Sequence, residues 1–415
     1  MTRAVRVMDS RQPEAVFVAL REALSGTGPA LVPRDPGARS SGEGVRADAE
    51  QPGGMSDGSV GGWPGSGDVV AQNVALVIET SGSTGVPKRV ALSADALLAS
   101  AAASAGAMGG AGQWVLALPL HYVAGAQVLV RSLAAETEPV VYGGGHFDAE
   151  RFAALAEGLT HDLRFTSLVP VQLARLVEAV ETGSREVARA LRRFDGILVG
   201  GQALSPTLRE RAESAGARVM TTYGSSETAG GCVYDGVPIG TTVVREVDGL
   251  LEIAGPSLAE GYVGDAARSR AAFHEADGQR WYRTGDLGRV EGGRVTVLGR
   301  ADNVIISGGE KVLLDAVEQA VRAIAGLESA IVIAADDAEW GQVPVVVAPV
   351  PAGGGSEVRS ERFLREVRAA VTDRVGRAGA PARVVVVEHL PVLSSGKPDR
   401  IGAARLAASG AGEEA

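Results

Sequence analysis

Several things are scarce in this sequence of 415 residues. There is one cysteine, Cys232, so no disulfide can form within the chain, which fits a reducing compartment. Five histidines are scattered, none at metal-ligand spacing with Cys or Glu, which argues against a zinc site. Lys and Arg form no dense patch and the formal net charge is -10, so no nucleic-acid partner is expected. No stretch approaches the roughly 20 apolar residues of a membrane helix. Charges interrupt residues 1–20 throughout, unlike a secretory leader. A cytoplasmic protein without membrane insertion is expected. Between Gly37 and Asp68 lie ten glycines and no Leu, Ile or Phe. Such a segment cannot bury enough to offset its ordering entropy, and residues 37–68 are expected to be disordered.

What remains is ordinary globular material, 45% hydrophobic and 22% charged, and long enough for more than one domain. Val16, Ala19, Leu20, Ala23 and Leu24 predict a helix over 11–24. From Asn73 onward, strand candidates at 74–79, 114–118, 139–142, 165–168, 196–199 and 218–222 alternate with helix candidates at 94–108, 149–159, 171–181 and 206–215. The strand runs are too apolar for a one-sided sheet, which predicts an α/β fold with a mostly parallel sheet covered by helices. Ser93 and Ser205 stand where helix caps belong. After about residue 240 strands dominate, at 250–254, 294–298 and 304–307. A helix at 314–323, strands at 330–333 and 343–348, a helix at 361–374 and a strand at 383–387 then form a small α+β unit. The expected division is a large N-terminal domain, 1–301, with a β-rich part, and a small mobile C-terminal domain, 302–415.

Five segments carry chemistry. Thr80-Ser81-Gly82-Ser83-Thr84-Gly85 packs four hydroxyls and two glycines into six residues after a predicted strand, with Lys88 close behind. Glycines let backbone N–H groups turn inward, hydroxyls add donors and the lysine adds charge, which makes a cradle for polyphosphate. The Gly-Lys-Ser/Thr ending of a Walker loop is absent. In Tyr223-Gly224-Ser225-Ser226-Glu227, the tyrosine can stack on a base, Ser226 can bond a phosphate and Glu227 can reach Mg²⁺; a capped helix start is the structural alternative. Tyr282-Arg283-Thr284-Gly285-Asp286 reads as a tight turn whose carboxylate suits a diol. Arg300 and Asp302 lie at the domain boundary, and Lys397 sits in a Ser-Gly loop near the C-terminus.

In this order and spacing, the five segments resemble the core motifs of the adenylate-forming superfamily of acyl- and aryl-CoA synthetases, luciferases and peptide-synthetase adenylation domains. The resemblance covers about residues 73–399. It implies an enzyme that uses ATP, Mg²⁺ and coenzyme A. By resemblance, Thr80, Ser81, Gly82, Ser83, Thr84, Gly85 and Lys88 handle the pyrophosphate end of ATP. Gly200, Gly201, Gln202 and Ala203 border adenine. Tyr223, Gly224 and Ser226 contact adenine and the α-phosphate, and Glu227 with Thr84 holds Mg²⁺. Asp286 and Arg300 bind ribose, Asp302 is the hinge and Lys397 completes adenylation. Pro119-Leu120-His121-Tyr122-Val123-Ala124-Gly125 and residues 230–238 are similar to the short actinobacterial ligases that join 2-succinylbenzoate to CoA in menaquinone biosynthesis. The small-molecule partners expected on that ground are 2-succinylbenzoate, ATP and CoA. Another aryl or aliphatic acid, or a non-catalytic nucleotide-binding relative, is the alternative, and a homodimer stays open. His121 is expected to gate or line the acyl pocket. Arg131 would hold the second carboxylate, and Cys232 and Tyr234 would line the same pocket. Glu79, just before the phosphate loop, has no assigned role.

Overall fold

In the computed structural model, which describes residues 1–37, 68–80, 88–349, 361–391 and 399–409, the chain builds four sheets. The disorder expected over 37–68 falls on 38–67, outside the described residues, as do Ser81, Gly82, Ser83, Thr84, Gly85 and Lys397.

The second sheet shows how sequence sets the architecture. Its order is Val237–Pro238, Gly230–Tyr234, Val219–Ser225, Gly196–Val199, Arg164–Leu168, Gln113–Leu116 and Val140–Val141. The last five are parallel, and the first two add on antiparallel. The central run Gly196–Val199 is apolar and buried throughout, because a central strand buries both faces. Trp114, Leu116, Phe165 and Leu198 point into one core, whereas Val115, Leu168, Ile197 and Val199 point into another. On that second face lie helices Ala149–Ala156, Pro170–Glu181, Arg185–Arg193 and Pro206–Ser214, contributing Phe152, Leu173, Leu176, Leu191 and Leu208. On the first face, helices Ala94–Ala107 and Val123–Ala134 are shared with the first sheet through Leu97, Ala101, Val128 and Leu129. Ser93 and Ser205 cap their helices as expected, accepting from the N–H groups of Ala96 and Leu208.

The first sheet orders Gly261–Tyr262, Lys88–Ser93, Val74–Thr80, Ala30–Arg34, Thr2–Asp9 and Val69–Ala71. Five of its strands, Thr2–Asp9, Ala30–Arg34, Val69–Ala71, Lys88–Ser93 and Gly261–Tyr262, escape the sequence reading. The first carries Arg3, which is buried because its guanidinium donates to the carbonyls of Gly28, Val74 and Ala23 at 2.7, 3.0 and 2.6 Å. A charge satisfied by carbonyls breaks the apolar pattern without breaking the strand. The third sheet is antiparallel: Val243–Val247, Leu250–Ala254, Gln279–Glu291 and Phe273–Ala276, with Arg294–Arg300 also on Gln279–Glu291. Here the expected turn at 282–288 is corrected. Asp286 sits within a 13-residue strand, beside a register shift at Leu287/Gly288 with Gly285 at φ +73°. The bulge re-aims a side chain without ending the strand.

The smaller C-terminal domain follows a short turn, Ala301–Asn303. Its sheet orders Glu310–Leu313, Val304–Ser307, Gly341–Pro349 and Ile331–Asp337, with Arg383–Val387 parallel to Gly341–Pro349. Helices Leu314–Arg322 and Glu361–Val375 cover one face through Val317, Val321, Val367 and Val371. A helix absent from the sequence reading, Arg400–Ser409, covers the other through Ala403 and Ala407. The buried Glu318 joins both sides. It accepts from Arg322 Nη2 and Arg400 Nη1, each at 2.9 Å, and from the N–H of Val332 at 2.9 Å. Glu318→Ala leaves the half-buried Arg322 without its carboxylate partner and the Val332 N–H without its acceptor. We expect a loss of about 3 kcal/mol, read as a lower midpoint in thermal unfolding by circular dichroism; an unchanged midpoint would contradict the role.

Candidate active site

The candidate residues gather where the first three sheets meet, at the carboxyl ends of the strands, where open α/β sheets leave a crevice for ligands. Val219–Ser225 ends at Tyr223-Gly224-Ser225, and a 3₁₀ turn, Ser226–Thr228, follows. Ser225 caps that turn, its hydroxyl accepting from the N–H of Glu227 at 3.2 Å. The capped start and the functional reading of this motif are therefore one structure. Gly224 is required by crowding: a Cβ there would lie 2.1 Å from the carbonyl oxygen of Gly230. Gly200 closes Gly196–Val199 against the neighbouring strand, with a Cβ position 2.2 Å from Thr222 Oγ1. Gly200 thus lies against the strand that carries Tyr223, and Gly201, Gln202 and Ala203 follow it in the chain.

Tyr223 bridges to the third sheet, its hydroxyl donating to Asp286 Oδ2 at 2.6 Å. The other oxygen of Asp286 accepts from Arg300 Nη1 at 3.2 Å, across the register pair Asp286↔Arg300. Burial raises the carboxyl of Asp286 above its ordinary value, and the Tyr223 hydroxyl and the arginine oppose this without reversing it. Burial and the adjacent carboxylate push the Tyr223 phenol up, so it stays a donor. Thr284, unassigned in the sequence, orients this group. Its hydroxyl donates to the Leu251 carbonyl and accepts from the N–H of Asp286, and its carbonyl accepts from Arg300 Nη1 at 3.0 Å. Arg300 also bonds Asp302 at 3.1 and 3.2 Å, within the turn between the domains.

Glu227 joins the second sheet to the first. It is 6% exposed. Its Oε1 accepts from the hydroxyl of Tyr262 at 2.9 Å and lies 4.0 Å from Lys88 Nζ. Among the described residues no group of three His, Cys, Asp or Glu forms a metal cluster. One carboxylate nevertheless suits Mg²⁺, which keeps most of its waters and shares substrate phosphate oxygens. Oε2 of Glu227 takes no hydrogen bond from any described residue, which leaves it for such an ion. Thr80 and Lys88 are paired as Thr80↔Lys88 at the root of the phosphate loop. Glu79 is no orphan there: Arg34 grips it with two hydrogen bonds, at 2.9 and 2.7 Å.

His121 lines a cavity of about 510 Å³ at the carboxyl ends of Gln113–Leu116 and Arg164–Leu168, with Ser10, Tyr142, His146 and Gln172. Its Nδ1 lies 3.2 Å from Ser10 Oγ, and burial lowers its pKa, favouring the neutral ring. Gly125 lets the next helix approach, since a Cβ there would be 2.2 Å from the carbonyl oxygen of Pro119. Arg131, Cys232 and Tyr234 come together, but as a buried cluster and not as walls of that cavity. Arg131 Nη2 donates to Tyr234 Oη at 3.4 Å, and its guanidinium stacks 4.8 Å over the ring of Trp114. Its Nε is buried without a partner, and it pairs with no described carboxylate. The Cys232 thiol, pushed up to about 12 by burial, stays protonated and inert.

No helix among the described residues is long and apolar enough to cross a membrane. Residues 6–249 match the family described as AMP-binding enzyme, and 316–397 match the AMP-binding enzyme C-terminal domain. A probable 2-succinylbenzoate–CoA ligase of Mycobacterium tuberculosis is 38% identical over 340 residues, 80% of this chain and 85% of its own. A structure of the o-succinylbenzoate CoA synthetase of Bacillus subtilis, in complex with its acyl-adenylate intermediate, superposes with a TM-score of 0.66 at 26% identity. It covers 79% of this chain and 68% of that one. The same Bacillus enzyme with ATP and magnesium gives a TM-score of 0.64 at 26% identity, covering 79% and 69%. With a family match across more than half its length, this chain belongs to the AMP-binding enzymes, as an AMP-forming CoA ligase with a large N-terminal and a smaller C-terminal domain.

Proposed function

We propose that the acid activated by this ligase is 2-succinylbenzoate, through its aliphatic carboxylate, and that the aromatic carboxylate is held by Arg131. The observation that carries this is a buried guanidinium with an unpartnered Nε and no ion pair to a described carboxylate. A buried charge without a counter-ion is costly, and a dianionic substrate supplies one. The named likeness to the mycobacterial and Bacillus ligases points to the same acid. His121, at the mouth of the helix that bears Arg131, lines the neighbouring cavity and would border the succinyl chain.

In the first step a carboxylate oxygen attacks the α-phosphorus of ATP, forming the acyl-adenylate, and pyrophosphate leaves. Negative charge crowds at phosphate, so the protein's part is positioning and electrostatics. Lys88 and Lys397 supply positive charge, Ser226 and the loop N–H groups supply donors, and Asp286 with Arg300 fixes the ribose beside Tyr223. When bound, Mg²⁺ on Glu227 and Thr84 neutralises phosphate charge. In the second step the CoA thiol attacks the acyl carbon, and AMP leaves. The small domain turns about Asp302 between the steps, withdrawing Lys397. Asp315, beyond the turn, accepts from the N–H of Arg300 at 3.0 Å and from Asn303 Nδ2 at 2.9 Å, so such a rotation breaks one identifiable contact across the hinge.

Incubation with 2-succinylbenzoate, ATP and CoA should yield the mono-thioester by mass; its absence, with turnover of a different acid, rejects the substrate. Lys397→Ala should slow adenylation at least about a hundredfold while largely sparing thioester formation from supplied acyl-adenylate. Equal loss in both steps refutes the division of labour. Arg131→Ala should raise the KM for succinylbenzoate by roughly tenfold to a hundredfold, the scale of one charged hydrogen bond, with the KM for ATP near wild type; unchanged acid kinetics in a folded variant removes Arg131 from the site.

A further inference from the structure

Tyr262 lies 35 residues from Glu227 in sequence and belongs to no motif singled out above, yet its hydroxyl donates to Glu227 Oε1 at 2.9 Å. The phenol is placed by a rigid base. Gly261–Tyr262 pairs with Lys88–Ser93 in the register Tyr262↔Val90, which makes the tyrosine and the phosphate-loop lysine neighbours on one sheet edge. The N–H of Tyr262 donates to Ser269 Oγ at 2.8 Å, and that hydroxyl in turn donates to the Asp265 carbonyl at 2.8 Å. Gly261 accepts this seat at φ +142°, with a Cβ position only 2.8 Å from Ser269 Oγ. The ring of Tyr262 is 7% exposed and packs against Phe273, with centroids 6.1 Å apart. Lys88 Nζ stands 5.5 Å from the centroid of the same ring.

We propose that Tyr262 is a positioning residue for the Mg²⁺-binding carboxylate: it fixes the rotamer of Glu227 by engaging Oε1, so that Oε2 is presented to the metal on ATP. The inference rests on the reading of Glu227 as the metal carboxylate. A free glutamate has three rotatable bonds, and holding it in one geometry before the ion arrives removes an ordering cost from binding. Outer partners of metal-ligating carboxylates act in this way, and their loss lowers metal affinity about tenfold to a hundredfold.

The test uses the full chain with ATP and no acid, so that no turnover occurs. Mn²⁺ retention is read by electron paramagnetic resonance, and ATP affinity by calorimetry with Mg²⁺ or with EDTA. Tyr262→Phe keeps the ring and its packing on Phe273. It should weaken Mn²⁺ retention by the ATP complex about tenfold while changing metal-free ATP affinity by less than about twofold. Equal weakening with and without metal, or Mn²⁺ held as well as or better than in wild type, overturns the proposal. Glu227→Gln separates the two layers. If it too retains Mn²⁺, the assignment of Glu227 fails and the inference fails with it. If Glu227→Gln loses the ion and Tyr262→Phe does not, only the role of Tyr262 is lost.

Discussion

One half-buried carboxylate organises the site. Asp286 takes the Tyr223 hydroxyl on one oxygen and the Arg300 guanidinium on the other, and each partner belongs to a different part of the chain. Tyr223 ends a strand of the parallel sheet, Asp286 rides a bulge in the antiparallel sheet, and Arg300 is the last residue before the turn between the domains. A carboxylate in such a setting is expensive to leave ionised. The arrangement therefore holds only if both donors arrive, and that requirement sets the distance between the two sheets. Any ligand that borrows one of these partners, as a ribose diol would, loosens the link between them. On the proposed ribose role of Asp286, nucleotide binding and the position of Arg300 would be coupled through these two hydrogen bonds.

The coupling continues beyond the turn. The side chain of Arg300 serves Asp286 and Asp302, while its backbone N–H serves Asp315 in the first turn of the helix Leu314–Arg322. That helix also bears Glu318, which grips Arg400, one residue past Asp399, whose N–H closes onto the Pro391 carbonyl at 2.9 Å. Arg400, past the segment that carries Lys397, is therefore tied through the helix Leu314–Arg322 and its acidic side chains Glu318 and Asp315 to the strands that carry Arg300 and Asp286. One of the links, Asp315 to the N–H of Arg300, spans the hinge. A rotation there has few contacts to break, and those contacts involve exposed or half-exposed groups, which exchange cheaply with water.

Most of the parallel sheet was legible because its strands bury both faces and its helices alternate with them. Runs such as Gly196–Val199 have no other reading. The motif loops were legible because polyphosphate chemistry demands glycines and hydroxyls at close spacing. What stayed hidden follows from interactions that sequence cannot place. Arg3 made Thr2–Asp9 look like a charged terminus, since the three carbonyls that satisfy it come from residues 20 to 71 positions away. Asp286 looked like a turn residue, since a bulge and a turn share the same Gly-Asp signature. Arg34 on Glu79 and Tyr262 on Glu227 are long-range pairings of a kind that no local pattern records. Arg131 was chosen from the sequence because a second carboxylate needs a donor, and its packing against Trp114 and Tyr234 is likewise invisible to any local pattern.

That depth bears on how the acid is chosen. A guanidinium at the surface would accept any anion at little gain, because water competes for it. One that is 7% exposed, stacked on Trp114 and short of acceptors is satisfied only by a group that reaches inward. If a substrate carboxylate pairs with it, as proposed, a rigid acid loses less in ordering than a flexible chain does. An aromatic ring bearing one carboxylate directly and the other on a short chain is such an acid. A simple fatty acid is not, and would leave the arginine unpaired. On the proposed role of Arg131, selection would rest on the penalty of burying a cation alone, which a monocarboxylate incurs and a dicarboxylate avoids.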